Sequence, residues 1–96
     1  MSKATRMGDL NTGHDSCPPV TLVTGSSNVF FNGRAAGRVG DSYVPHGCHV
    51  HPSHVGKIAS GSSSVFINGK PAGRIGDPVS CGGAVAEGSS NVFIGG

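Results

Sequence analysis

Apolar residues along this chain occur in short runs, and glycine, serine and asparagine separate them. The runs Val29-Phe30-Phe31 and Val65-Phe66-Ile67 are β-branched or aromatic, and each leads directly into an Asn-Gly pair. This pattern predicts a strand, a tight turn and a second strand, because Asn and Gly tolerate the positive φ of hairpin turns. No stretch shows the apolar period of an amphipathic helix. The pattern therefore predicts an all-β fold built from β-hairpins.

The predicted hairpins belong to a repeated unit with two halves, Gly-Ser-Ser-x-Val-Phe and Arg-x-Gly-Asp, which alternate strictly. The first half begins at Gly25, Gly61 and Gly88, and the second half begins at Arg6, Arg38 and Arg74. The chain opens with a second half and closes with a first half, so its two ends together complete a third unit. We therefore expect one closed domain over residues 1–96, with pseudo-threefold symmetry, adjacent termini and no N- or C-terminal extension.

The repeat also makes Phe30, Phe66 and Phe93 equivalent, and their strand positions favour a place in the core. That core must be thin, because only 35% of the residues are hydrophobic, the chain has no Trp, and 17 residues are glycine. Small chains with so little apolar mass usually need a metal or disulfides for stability.

All histidines and cysteines lie in the connections between the repeated units. The first connection holds His14 and Cys17, the second holds His46, Cys48, His49, His51 and His54, and the third holds Cys81. Connections on one side of a threefold body converge, so this distribution predicts a metal site at one end of the domain.

The spacing indicates which of these residues bind the metal. His14 and His46 lie five residues beyond the repeat Asp, and Cys81 lies four beyond, so the three are nearly equivalent. The long second connection supplies the fourth ligand, with His54 as the first choice and His51 or His49 behind it. Three imidazole nitrogens and one thiolate form a tetrahedral set suited to a structural Zn²⁺ ion. For Cys17 and Cys48, pairing, ligation and simple packing all remain open.

Other classes of function find little support in the sequence. The basic residues are scattered and the net charge is only +2, which does not fit nucleic-acid binding. Asp9, Asp41 and Asp77 belong to the repeat, where they favour turn and ion-pair roles, and Asp15 is left as a partner for a ligating histidine. We therefore expect no enzymatic activity. No apolar run suits a membrane span or a secretory signal, which predicts synthesis in the cytoplasm and no stable membrane insertion.

The unit over residues 61–77, which contains Pro71-Ala72-Gly73-Arg74, resembles the repeat of PAAR proteins. The resemblance extends over nearly the whole chain, although the name-giving Pro-Ala-Ala-Arg is changed in each unit. It implies a conical all-β domain with one zinc ion near the point, bound in this chain by His14, His46, His54 and Cys81.

The resemblance also implies a function. PAAR proteins cap the trimeric β-helical spike of a type VI secretion system, a VgrG-type protein, or that of a contractile phage tail. For this chain it implies one cap per trimer, passive puncture of the target envelope, export at the spike tip or a place in a virion tail, and a possible association with effector proteins. The alternatives are a small zinc module that binds protein or nucleic acid and, with less support, a metal-dependent hydrolase.

Overall fold

The structure is a computed structural model that describes residues 1–13, 17–48 and 51–96. Within these residues it contains strands, bridges and turns, and no helix, so the predicted all-β fold is confirmed. The strands are β1 (Ser2–Lys3), β2 (Phe30–Phe31), β3 (Arg34–Ala35), β4 (His46–Cys48), β5 (His51–His54), β6 (Phe66–Ile67), β7 (Lys70–Pro71) and β8 (Phe93–Ile94). They pair antiparallel as β1–β8, β2–β3, β4–β5 and β6–β7.

Two of these pairs are the hairpins that the Asn-Gly dipeptides predict. Asn32 and Gly33 connect β2 to β3 with φ values of 58° and 76°, and Asn68 and Gly69 connect β6 to β7 with φ values of 55° and 78°. Positive φ at both central residues is typical of the turn that best matches the twist of a hairpin. The local sequence therefore determines these two turns.

The third pair, β1–β8, joins the two ends of the chain. Ser2 lies opposite Ile94 and Lys3 lies opposite Phe93, in the same register as the two covalent hairpins. The repeated unit that is divided between the termini is thus completed in space, as predicted.

Three residues, one from each unit, form a closed ring of backbone hydrogen bonds. Thr5 N–H donates to Gly73 O (3.1 Å), Gly73 N–H donates to Gly37 O (3.0 Å), and Gly37 N–H donates to Thr5 O (3.0 Å). Outside this ring the arginine of each unit forms a β-bridge with an alanine of another unit, in the pairs Arg6–Ala36, Arg38–Ala72 and Arg74–Ala4. The ring marks the pseudo-threefold axis of a body that measures 37 × 23 × 23 Å.

Two apolar clusters lie on either side of this ring. The hairpin-side cluster contains Ala4, Ala36, Ile67, Ala72 and Ile94, with Val29, Phe31 and Val92 packed against it. The loop-side cluster contains Leu22, Tyr43, Ile58, Val79 and Val85, with Val20, Val39, Ile75 and Cys81 packed against it. The core is therefore two thin layers stacked along the axis.

The prediction that the three equivalent phenylalanines lie in the core is wrong. Phe30, Phe66 and Phe93 expose 56%, 57% and 48% of their surface. Successive residues of a strand face opposite sides, so when Phe31, Ile67 and Ile94 turn inward their neighbours must turn outward. The symmetry was predicted correctly, but the side of the strand was not.

A largely buried ion pair lies within each unit. In each unit the arginine contacts the aspartate three positions later, in the pairs Arg6–Asp9, Arg38–Asp41 and Arg74–Asp77. Each aspartate also accepts the backbone N–H of its arginine, at 2.7 to 2.9 Å. The hydrogen bonds that Arg38 and Arg74 donate to these carboxylates raise the pKa of both guanidinium groups. The arginines and aspartates thus have the ion-pair and turn roles that the repeat predicts.

Each arginine also reaches the hairpin turn of another unit. Arg6 donates to Asn32 Oδ1 at 2.9 Å, and Arg38 donates to Asn68 Oδ1 at 3.1 Å. In the unit that closes the chain Gly95 stands where Asn would be, and its backbone carbonyl accepts the bond from Arg74 at 3.2 Å. The hydrogen-bonding pattern therefore survives the change of residue.

Candidate metal centre and hairpin face

Three loops leave the body at equivalent points on the side of the loop-side cluster. The β-bridges Leu10–Thr21, Ser42–Lys57 and Pro78–Ala84 close their bases. We call residues 11–20, 43–56 and 79–83 the first, second and third loops, and their side of the molecule the loop end. The predicted ligands His14, His46, His54 and Cys81 all belong to these loops.

A buried asparagine shapes the first loop. Asn11 is 3% exposed, and its Oδ1 accepts the N–H groups of Gly13 (2.9 Å) and Val20 (3.1 Å). It therefore holds together the two ends of the segment that carries His14, although His14 and Asp15 lie outside the described residues. Asn11 was not among the predicted site residues. It could have been found from its position two residues after the repeat Asp, where the other two units have the apolar residues Tyr43 and Val79.

The second loop contains the strand pair β4–β5. Its backbone register places His46 directly opposite His54 and Cys48 opposite His51, with an irregularity between His46 and Cys48. His49 lies outside the described residues. The pairing brings together the backbones of two of the four predicted ligands, because residues directly opposite in an antiparallel pair are close neighbours.

The third loop contacts both of the others. Cys81 has a free thiol, and a Cβ atom added at Gly56, two residues after His54, would lie 2.7 Å from its Sγ. On the other side Thr12 N–H donates to Ala84 O at 2.8 Å, and Thr12 Oγ1 accepts Ala84 N–H at 3.0 Å. The thiol of Cys81 thus lies against the second loop, while the same loop is bound to the segment that leads to His14.

The described residues alone do not form a complete metal site, since they contain no group of three or more His, Cys, Asp or Glu placed to hold an ion. They do show three surrounding features. The strand pair β4–β5 carries predicted ligands, the free thiol of Cys81 lies near the end of this pair, and the described part of the first loop ends at Gly13, the residue before His14. The chemistry of the donor set, nitrogen and sulfur, is that of zinc.

Cys17 differs from Cys81. It is 5% exposed and disulfide-bonded. Of the roles that the sequence left open for it, the structure supports pairing.

A buried tyrosine lies beneath the loops. Tyr43 is fully buried, and its hydroxyl has no hydrogen-bond partner among the described residues. Burial raises the pKa of this phenol well above its ordinary range, and the negative charges of Asp9 and Asp77 raise it further. The surroundings of Tyr43 therefore strongly favour the neutral phenol over the phenolate.

A cleft of about 460 Å³ opens on the flank of the body, lined by Lys3, Arg6, Asp9, Arg34 and Glu87 among others. Both of its carboxylates are already engaged. Asp9 pairs with Arg6 and Arg34, and Glu87 Oε1 accepts the Leu10 N–H at 2.8 Å. Neither is placed as the unengaged base that a hydrolase requires.

The opposite side of the molecule carries the three hairpin pairs, and we call the surface formed by Phe30, Phe66 and Phe93 the hairpin face. These side chains are large, apolar, half exposed and related by the pseudo-threefold axis. This is a candidate contact surface, because large exposed apolar patches are found at sites of interaction. The part of the chain that the structure describes has no helix long and apolar enough to cross a membrane.

The geometry defines a class of fold: a closed ring of three β units, with loops at one end and exposed aromatic residues on the hairpins. Comparison with family models identifies the PAAR motif over residues 51–96. The same unit recurs over residues 25–41 and across the joined termini, so the whole chain is consistent with a PAAR-repeat protein. The PAAR family is associated with spike tips of type VI secretion systems and contractile tails. A search of curated proteins found no match.

Proposed function

We propose that this protein caps the blunt end of a trimeric β-helical spike, of the VgrG type or of a phage tail, with one cap per trimer. The observation that carries the proposal is the exposure of Phe30, Phe66 and Phe93 at positions related by the pseudo-threefold axis. A single chain can match three identical chains only if it presents a similar surface to each of them.

The hairpin face suits the end of such a spike in chemistry as well as in symmetry. The end of a β-helical trimer leaves strand edges and an apolar cross-section that favour unwanted association. Large aromatic side chains are the residues that contribute most to binding when an interface buries them. The cap would therefore cover the spike end with the same phenylalanines that are costly to leave in water.

We further propose that His14, His46, His54 and Cys81 bind one structural zinc ion at the loop end, with His49 and His51 as the alternatives to His54. The pairing of His46 with His54 and the contact of Cys81 with Gly56 support this set. Four protein ligands leave no position for water, so the ion would supply folding energy rather than catalysis. The loop residues would hold the zinc ion and orient its ligands, and none of them would have to transfer a proton.

The role of the protein would be mechanical. It would travel at the front of the spike and concentrate the force of sheath contraction on a small area of the target envelope. Cross-links between the loops would stiffen the loop end.

The experiment is a binding titration against purified trimeric spike fragments that retain their β-helical ends. We expect saturation at one cap per three spike chains, and we expect Phe66→Glu to weaken binding by about tenfold or more, since a buried aromatic anchor is replaced by a charge. The matched control is Val23→Glu, which places the same charge at an exposed valine outside the hairpin face. Equal loss in both variants, or no binding to any trimer, would contradict the proposal.

A further inference from the structure

We propose that Cys17 and Cys48 form a disulfide that ties the first loop to the second, and that this bond is a redox-dependent lock on the loop end. The first step is a count. The chain has three cysteines, Cys81 has a free thiol, and Cys17 is disulfide-bonded. Within one chain, this leaves Cys48 as the partner of Cys17.

The second step is the strand register. Leu22 forms an antiparallel bridge with Tyr43, and Val44 N–H donates to Thr21 O at 2.9 Å. Because the two segments run antiparallel, the chain before Thr21 and the chain after Val44 leave this bridge on the same side, one leading back to Cys17 and the other forward to Cys48.

The third step is the burial of Cys17. It is 5% exposed, and a Cβ atom added at Gly13 would lie 2.6 Å from its carbonyl oxygen. Gly13 has φ of +71° and directly precedes His14 in the sequence. A bond at Cys17 would therefore anchor the chain next to Gly13, the residue before a proposed metal ligand.

The chemistry requires an oxidant, which is a low-molecular-weight disulfide such as oxidised glutathione or the disulfide of a thiol oxidoreductase. One cysteine thiolate of the chain attacks the oxidant, which forms a mixed disulfide and releases one oxidant thiolate. The second cysteine thiolate then attacks the mixed disulfide at the chain's own sulfur and releases the second. The two cysteines lose two electrons and two protons, and the oxidant's two sulfurs take them up as thiols.

The lock has a compartment dependence. Reducing compartments keep such thiols reduced, whereas oxidising compartments favour the bond. The proposed export of the protein on a spike would take it from a reducing to an oxidising compartment, so the compartment dependence rests on the proposed function. The bond itself does not.

Peptide mapping of the wild-type protein tests the pairing directly. Trypsin cleaves after Lys and Arg, which separates the three cysteines onto the peptides 7–34, 39–57 and 75–96. After oxidation, alkylation and digestion without reductant, we expect 7–34 linked to 39–57, and 75–96 alkylated. Recovery of 7–34 in alkylated form, or linked to 75–96, would overturn the proposal.

Thermal unfolding with and without reductant tests the lock. We expect oxidation to raise the Tm of the wild type by about 10 °C or more. Cys17→Ser and Cys48→Ser should each abolish this step. Cys81→Ala is the comparison: loss of this proposed metal ligand should lower the Tm in both conditions, but the redox step should persist because its thiol is not part of the bond. An equal redox step in Cys17→Ser would overturn the lock.

Spike binding separates this inference from the proposed function. The hairpin face lies on the opposite side of the axial ring from the loops, so the reduced protein and Cys17→Ser should bind the trimer as the wild type does. If the peptides are not linked as expected but the protein still binds the trimer, only the disulfide is contradicted. If the peptides are linked as expected but the protein does not bind, only the capping function is contradicted.

Discussion

Lys3 lies directly opposite Phe93, in a two-stranded sheet made by the first and last strands of the chain. In the covalent hairpins the equivalent pairs are Ala35 with Phe30 and Pro71 with Phe66. The third unit is therefore held together by non-covalent contacts alone, and the stability of the whole ring depends on a junction between the two termini.

This junction predicts that Ile67 and Ile94 contribute equally to stability. They are equivalent under the repeat and are 5% and 4% exposed in the same cluster. Ile67→Ala and Ile94→Ala should each lower the free energy of unfolding by about 2–4 kcal/mol, because each leaves a cavity in a thin core. Urea unfolding followed by circular dichroism measures both, with the exposed Phe93→Ala as the control of small effect. A silent Ile94→Ala would show that the ends do not close the ring.

The axial ring predicts that only one side chain fits at its centre. A Cβ atom added at Gly37 would lie 2.7 Å from Thr5 Cγ2 and 2.8 Å from Leu22 Cδ2. Gly37→Ala should therefore destabilise the protein by about 1–3 kcal/mol through overpacking. In a Thr5→Ala background the same substitution should cost less, since one of the two clashing groups is gone. Chemical denaturation measures the loss of stability in each background. An equal loss in both would contradict the steric conflict between residue 37 and Thr5 at the axis.

The sequence contains enough information to predict the symmetry but not the side of each strand that is buried. The Asn-Gly turns and the division of one unit between the termini follow from residue types and spacing. The outward position of Phe30 does not, because Val29, Phe30 and Phe31 are all apolar, and a run without alternation leaves the buried side open. Phe30 points outward because its neighbour Phe31 packs inward against the hairpin-side cluster, and that packing cannot be read from the sequence.

The candidate site shows the same division. The positions of His and Cys between the repeated units are enough to predict which three loops form the site, and that they lie at one end of the molecule. The role of Asn11 and the contact of Cys81 with Gly56 depend on the paths of loops of unequal length, which no repeat determines. The pairing of Cys17 was one of three open possibilities, because three cysteines alone do not indicate which of them remains reduced.

The buried phenol predicts a loss of stability in alkali. Because the folded protein holds the pKa of Tyr43 above its ordinary value, the unfolded chain loses the proton first, and stability falls as pH rises above about 10. Tyr43 is the only tyrosine, so the absorbance of tyrosinate reports this residue alone. We expect that absorbance to rise together with unfolding, and a rise in the folded state would contradict the burial.

Tyr43→Phe is the corresponding variant. It removes a buried hydroxyl without a partner among the described residues, so it should raise the free energy of unfolding by about 1 kcal/mol at neutral pH. It should also unfold at a higher pH than the wild type. Denaturation curves at neutral and alkaline pH measure both effects, and a destabilised variant would indicate that the hydroxyl has a partner.

Metal removal is expected to loosen the loop end without opening the hairpin face. If His14, His46, His54 and Cys81 bind zinc, each ligand truncated to alanine should lower the bound metal per chain, and a chelator should lower the Tm of the wild type, since binding energy to the native state adds to stability. The measurement is metal content by mass spectrometry together with thermal unfolding, both in reductant so that the disulfide does not mask the effect. His49→Ala and His51→Ala are the matched controls in the same loop and should keep the metal. Loss of metal from His51→Ala with retention in His54→Ala would reassign the fourth ligand, and a wild type whose Tm ignores the chelator would remove the ion from the account of this fold.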